Sequence, residues 1–278
     1  MNWKDSVNQV SSFVPVANVN AYVRVRAADG QAAIDRYYES TRDILTKVDP
    51  DFFTSNPPQV TSLLYIGLIS ATENYFRDVL GFILSVCPIA KIRAAEKKIQ
   101  LGSFLWGGAD LHSRTAFDFI AFSSAKNISD TFNDFVGHSV KPTGVWKKAL
   151  DEYDKLCEMR HGIVHSGMVL SGKNALKLGL PYTNDVMLIE PSYATLQEAG
   201  GVCTTMVQSA NNELFEALVR RWAVDWRKLP SWEKSCARKR LRAIRNGFYS
   251  GEDSKRGAIG NQVAFDTLLK RIEREFNL

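Results

Sequence analysis

Val60-Thr61-Ser62-Leu63-Leu64-Tyr65-Ile66-Gly67-Leu68-Ile69-Ser70-Ala71-Thr72-Glu73-Asn74-Tyr75-Phe76-Arg77-Asp78-Val79-Leu80-Gly81-Phe82-Ile83-Leu84-Ser85-Val86 is an almost continuous apolar run. It contains no proline and is far longer than a β-strand, which typically spans roughly 3–10 residues. Glu73, Asn74, Arg77 and Asp78 interrupt it, whereas a membrane span needs about 20 predominantly apolar residues with few charges. A helix that is apolar on most faces must be buried on most faces. The stretch therefore predicts the central helix of a bundle. Pro88 stops it, and Asn56-Pro57-Pro58 marks residues 51–59 as a breaker-rich loop before it.

The segments on either side read as further helices. Residues 30–48 carry Ala33, Ile34, Tyr37, Tyr38, Ile44 and Leu45 at helical spacing. Residues 89–100 form a short amphipathic helix, Gly107-Gly108 a loop, and 113–122 and 128–136 two shorter helices. After Lys141-Pro142-Thr143-Gly144, the residues Trp146, Leu150, Tyr153, Leu156, Cys157, Ile163 and Val164 share one helical stripe that ends at Ser166-Gly167. Residues 168–191 are a connector in which 176–180 and 186–189 could pair as a small hairpin. A second long helix covers 191–226, weakened at Gly200-Gly201. A basic segment and a loop over 251–260 follow, and 263–276 form a last amphipathic helix. The expectation is an all-α chain: an N-terminal helical extension (1–59), a helical bundle (60–227) and a basic C-terminal helical extension (228–278).

Apolar residues make up 45% of the chain and charged residues 23%, which excludes a wholly disordered or fibrous protein. Between Arg220 and Ser250 ten basic residues face only Asp225 and Glu233. That local +8 sits in a chain of net +5, so the remainder is −3. A concentrated positive patch favours an anionic partner, most simply a nucleic-acid backbone, with Arg238, Lys239, Arg240, Arg242 and Arg245 as candidate contacts. A solvated surface helix is the competing reading. Cys87, Cys157, Cys203 and Cys236 show neither zinc-site spacing nor a disulfide framework, so no metal or cofactor is expected. No signal-like apolar run follows Met1, and a cytoplasmic address without a membrane is expected.

Chemistry concentrates in Glu158-Met159-Arg160-His161-Gly162-Ile163-Val164-His165-Ser166-Gly167. His161 and His165 are four apart and face the same way on a helix. Arg160 falls on the apolar stripe, where a guanidinium must be paired or must face a cleft. Cleaving RNA without a metal requires a group near neutral pKa to move a proton and a fixed cation to hold the phosphate. Imidazole, with an unperturbed pKa of about 6.5, and the planar guanidinium fork suit those roles. A helix end rich in Arg and His is also favourable for structure alone, by about 0.3–1 kcal/mol through the helix dipole.

The order arginine, polar residue, three residues, histidine resembles the defining motif of the HEPN superfamily, here Arg160, His161, Gly162-Ile163-Val164 and His165. The resemblance extends over residues 60–226, and its specific part is these six positions. It implies a homodimer whose motif helices meet in a cleft for RNA. Attack by the ribose 2′-hydroxyl would leave a 2′,3′-cyclic phosphate and a 5′-hydroxyl. On this resemblance His165 handles the proton, Arg160 binds phosphate and His161 orients either partner. It also suggests a toxin or antiphage-defence effector, and leaves room for an antitoxin or regulatory protein as a partner.

Glu73 has two expected partners: Arg77, one helical turn away, or Arg160, by analogy with the family. Ser166 is a secondary candidate for a phosphate contact and equally an ordinary helix-end residue. His112 and His138 stand alone in the sequence. Two other functions remain open at this stage. One is a non-catalytic module binding nucleic acid or a partner through the basic segment, and the other is a dimerisation domain in which Arg160 and His165 only hold an interface.

Overall fold

The computed structural model describes residues 16, 18–24, 30–98, 102, 105, 112–257 and 263–278. The chain divides into two units, Met1–Gly30 and Gln31–Leu278. Among the described residues of the first, a 3-10 turn, Val19–Tyr22, is capped by the Asn18 side chain accepting from the Asn20 amide at 3.1 Å. The second holds all the α-helices of the described residues. With 71% helix and 1% strand, the class is all-α.

In chain order the helices are α1 (Ala33–Thr46), α2 (Pro50–Ser55), α3 (Pro58–Val86), α4 (Pro88–Ala94), α5 (His112–Thr115) and α6 (Ala125–Thr131), then α7 (Val145–His165), α8 (Gly172–Lys177) and α9 (Tyr193–Ala223), and finally α10 (Ala237–Phe248), α11 (Gly251–Lys255) and α12 (Phe265–Phe276). A π-helical turn, Phe132–Val136, extends α6 and ends at Gly137 in the left-handed region. The boundaries expected at 59/60 and 227/228 fall inside the second unit, because α1 packs on α3 and α9 while α10 packs on the same two helices from the other end of the sequence.

α3 is the central helix, as its composition requires. Leu68, Ile69, Phe76, Val79, Leu80 and Ile83 are almost fully buried. Its interrupting charges are neutralised locally: Arg77 pairs with Glu73 at 3.0 Å, and Asp78 receives Arg36 at 3.1 Å and Arg114 at 2.6 Å. Phe76 lies at the heart of an aromatic cluster, with ring centroids 5.2 Å from Tyr75, 6.1 Å from Phe122 and 5.9 Å from Phe132. Phe132 in turn meets Trp146 edge-on at 5.4 Å, joining α3 to the start of α7.

Several local expectations are corrected. Residues 50–55 form a helix instead of a loop, because Asp49 caps it by accepting from the Phe52 amide at 2.8 Å and Pro50 supplies a helix-ready φ at its first position. Pro58 does the same for α3. Gly200-Gly201 does not weaken α9. A Cβ on Gly200 would lie 2.5 Å from Leu45, so the glycine admits α1 close against α9. The hairpin of 176–180 with 186–189 does not form, since Gly172–Lys177 is helical under a Ser171 cap. Residues 187–189 instead pair with 168–170 through one antiparallel bridge, Val169 with Leu188. The expected loop over 251–260 begins as α11, and the Gly107-Gly108 loop and residues 99–100 lie outside the described residues.

Candidate functional site

α7 and α9 are antiparallel and pack along their length. The motif therefore falls where α7 ends and the chain turns back towards the start of α9. Gly167 adopts a positive φ of 59°, and the Met168 amide reaches back to the Gly162 carbonyl at 3.1 Å, closing the helix. Ser166 is the C-cap, its amide donating to the same carbonyl at 3.1 Å, which is the helix-end role.

The returning chain covers one side of this last turn. Asn174 donates to the Glu158 carbonyl at 3.0 Å, and Lys177 pairs with the Glu158 carboxylate. Gly162 is the contact point. A Cβ there would stand 2.5 Å from Ile189 Cδ1 and 3.0 Å from the Val169 carbonyl oxygen. Gly162→Ala should destabilise the protein by about 1–3 kcal/mol through overpacking. Thermal unfolding would measure the loss, and faster proteolysis within 168–189 would show the connector lifted from α7.

Arg160, His161, Val164 and His165 occupy the other side. The imidazoles of His161 and His165 are both exposed, with ring centroids 4.8 Å apart and a 51° tilt. Arg160 is half-buried, three positions on from buried Cys157 and seven from buried Tyr153. It forms no hydrogen bond or ion pair among the described residues. At 3.6 residues per turn, Arg160 and His165 point about 140° apart around the axis. They are diagonal corners of a patch whose other corners are His161 and Val164, and within one chain they do not converge.

Glu73 is not the partner of Arg160. Its carboxylate is held by Arg77, which also donates to the Ile120 carbonyl at 3.1 Å and stands over the Phe122 ring. The i,i+4 geometry prevails because both groups already share one face of α3. Behind the motif, burial pushes the Cys157 thiol well up and that of Cys203 up to about 12, so both stay protonated and unreactive at neutral pH. No group of three or more His, Cys, Asp or Glu suited to a metal occurs among the described residues.

The basic candidates lie elsewhere. Trp222 Nε1 donates to the Ala237 carbonyl at 3.0 Å and Asn211 to the Phe248 carbonyl at 2.8 Å, laying α10 along the last third of α9. Glu213, on that same stretch, meets His138, which stacks on Trp146 at the opposite end of α7 from the motif. At about 1.5 Å per residue the two ends of α7 are roughly 28 Å apart. Arg238, Lys239, Arg240, Arg242 and Arg245 are thus not brought to His165. Arg238 pairs with Asp266, while the guanidinium groups of Arg242, Arg240 and Arg245 stand over the Phe265, Trp232 and Tyr249 rings at 4.7, 5.4 and 4.5 Å. The aromatic residues interleaved with them, Trp222, Trp226 and Phe248, are buried and belong to the core.

No family model matches the chain, and no curated protein or solved structure does. His138 is the side chain that sequence reasoning missed. Far from solitary, its Nε2 lies 2.8 Å from Glu213 Oε1, which also accepts from the Lys141 amide at 3.0 Å. The partners are 75 positions apart, and no spacing rule connects them. This pair anchors the loop before α7 to α9. His112 opens α5, and its side chain lies outside the described residues.

Proposed function

We propose that the chain is a metal-independent endoribonuclease acting as a homodimer, with Arg160, His161 and His165 of both copies lining the cleft. The observation that carries this reading is a half-buried guanidinium without an acidic partner among the described residues, one residue from a pair of exposed, adjacent imidazoles. A cation in that position costs desolvation unless an anion completes it, and a phosphodiester is such an anion. Arg160 would hold the phosphate, His165 would take or give the proton, and His161, in van der Waals reach of His165, would orient it. The 2′-hydroxyl attacks phosphorus, the 5′-oxygen leaves with a proton, and a 2′,3′-cyclic phosphate and a 5′-hydroxyl result.

The divergence of Arg160 and His165 within one chain makes the second copy necessary to this mechanism. Exposed apolar side chains that such a copy would cover are Val164 within the motif and Val169 and Leu188 of the connector that packs at Gly162. Contiguous exposed apolar surface marks an interaction site more often than chance. Similarity to HEPN motifs extends the proposal to a toxin or antiphage-defence effector.

The test is incubation of the purified chain with total RNA in the presence of EDTA, followed by analysis of the ends and of the oligomeric state. Cyclic-phosphate ends from a dimer are the expected result. Intact RNA, or cleavage that the chelator stops, would overturn the proposal.

A further inference from the structure

A cavity of about 490 Å³ opens between α1, α9, the end of α10, α11 and α12, apart from the motif. Its size is in the range of small-molecule sites, roughly 300–1,000 Å³. Ile34, Phe215, Phe248, Val263 and Leu268 provide apolar walls, and Gln208, Asn212, Arg245 and Asp253 bring polar groups to them.

The directions of the hydrogen bonds around Tyr38 are determined by chemistry. The Asp253 carboxylate can only accept, so the Tyr38 hydroxyl donates to its Oδ2 at 3.0 Å. The Tyr38 oxygen then accepts from Gln208 Nε2 at 2.8 Å. Gln208 Oε1, on an exposed residue at the rim, and Asp253 Oδ1, on a half-buried one, are left as acceptors without a protein partner among the described residues. Burial pushes the Tyr38 phenol up to about 12, so it keeps the donating proton at neutral pH. Asp253 is fixed from below as well. Its amide donates to Ser250 Oγ at 3.0 Å, and Ser250 donates to buried Asp35 at 2.6 Å, which also accepts from the Gly251 amide at 2.9 Å. Supporting bonds of this kind hold a binding group in place before the ligand arrives.

Arg245 supplies the opposite charge. Its guanidinium lies over the Tyr249 ring and has no acidic partner among the described residues, although Asp253 lines the same cavity. A cation and an anion that line one cavity beside apolar side chains and form no ion pair with each other complement a small zwitterion. We infer that this cavity binds a free α-amino acid with an apolar side chain, its carboxylate on Arg245, its ammonium on Asp253 and Gln208, and its side chain against Phe215 and Leu268. A planar guanidinium fork matches a carboxylate, and an ammonium has three protons for the two free acceptors. A phosphorylated ligand fits less well, because Asp253 would repel a dianion.

The site stands independently of the nuclease reading and is tested by binding alone. Calorimetric titration of the full chain with phenylalanine or leucine should show saturable binding. The corresponding amino-acid amide, N-acetyl amino acid, Asp253→Asn and Arg245→Gln should each weaken it by about tenfold or more, as expected for a lost charge-assisted bond. Asn at 253 keeps the acceptor for Tyr38, and the ligand analogues need no variant at all. Absence of binding at millimolar concentration, binding indifferent to these changes, or binding of adenosine monophosphate in place of the amino acids would overturn the inference.

Discussion

Under the proposed nuclease mechanism, replacing His165 with alanine is expected to slow RNA cleavage by about 10²–10⁴-fold, the usual contribution of a positioned general acid or base. At 1.36 kcal/mol per decade this is roughly 3–5 kcal/mol of transition-state stabilisation. The imidazole is exposed at the open end of α7, so its loss creates no cavity, and unfolding temperature and dimer mass should match wild type. Arg160→Ala should produce a loss at least as large, because stabilisation of developing charge often exceeds proton transfer in magnitude. Arg160→Lys should recover only part of it, since an ammonium keeps the charge but not the planar fork. Single-turnover rates on a defined oligonucleotide, measured with EDTA present, make the comparison. Wild-type rates for His165→Ala would remove the proton-transfer assignment. A wild-type rate for Arg160→Ala would remove the phosphate site.

Phe76→Ala is expected to produce the largest loss of stability from a single change, about 3–5 kcal/mol, as a transfer loss plus an unfilled cavity. Its ring is fully buried on α3 and touches Tyr75, Phe122 and Phe132, so it ties α3 to the distant stretch that runs from Phe122 to the π-helical turn. For a unit of this size each kcal/mol shifts the midpoint by roughly 2–4 °C, giving a fall of about 6–20 °C. Phe119→Ala provides the control. The same residue type at 46% exposure should change stability by no more than about 0.5 kcal/mol. Parallel chemical denaturation of both variants checks the contrast, and a Phe76→Ala midpoint equal to that of Phe119→Ala would contradict the packing described for α3.

The resemblance to a nuclease motif and the geometry of the chain bear on each other at particular residues. Gly162, an unremarkable position within the motif spacing, is the point where Ile189 and Val169 press on α7. The basic segment, by contrast, supplies candidate contacts for a nucleic-acid backbone when read as charge alone. Packed as α10, it lies at the opposite end of α7 from the motif, with its arginines set against Trp232, Phe265, Tyr249 and Asp266.

What the amino-acid order determined by itself is the helical class, the central place of α3, the extent of α7 and the clustering of Arg160, His161 and His165 on its last turns. All of these follow from interactions within a few residues, where a period of 3.6 dictates which side chains share a face. Only the tertiary structure decided that Glu73 serves Arg77, that His138 finds Glu213, and that Gln208, Arg245 and Asp253 share a cavity. Those outcomes depend on how helices distant in sequence approach one another, and that approach is set by the volumes of whole packed surfaces and not by the spacing of any pair.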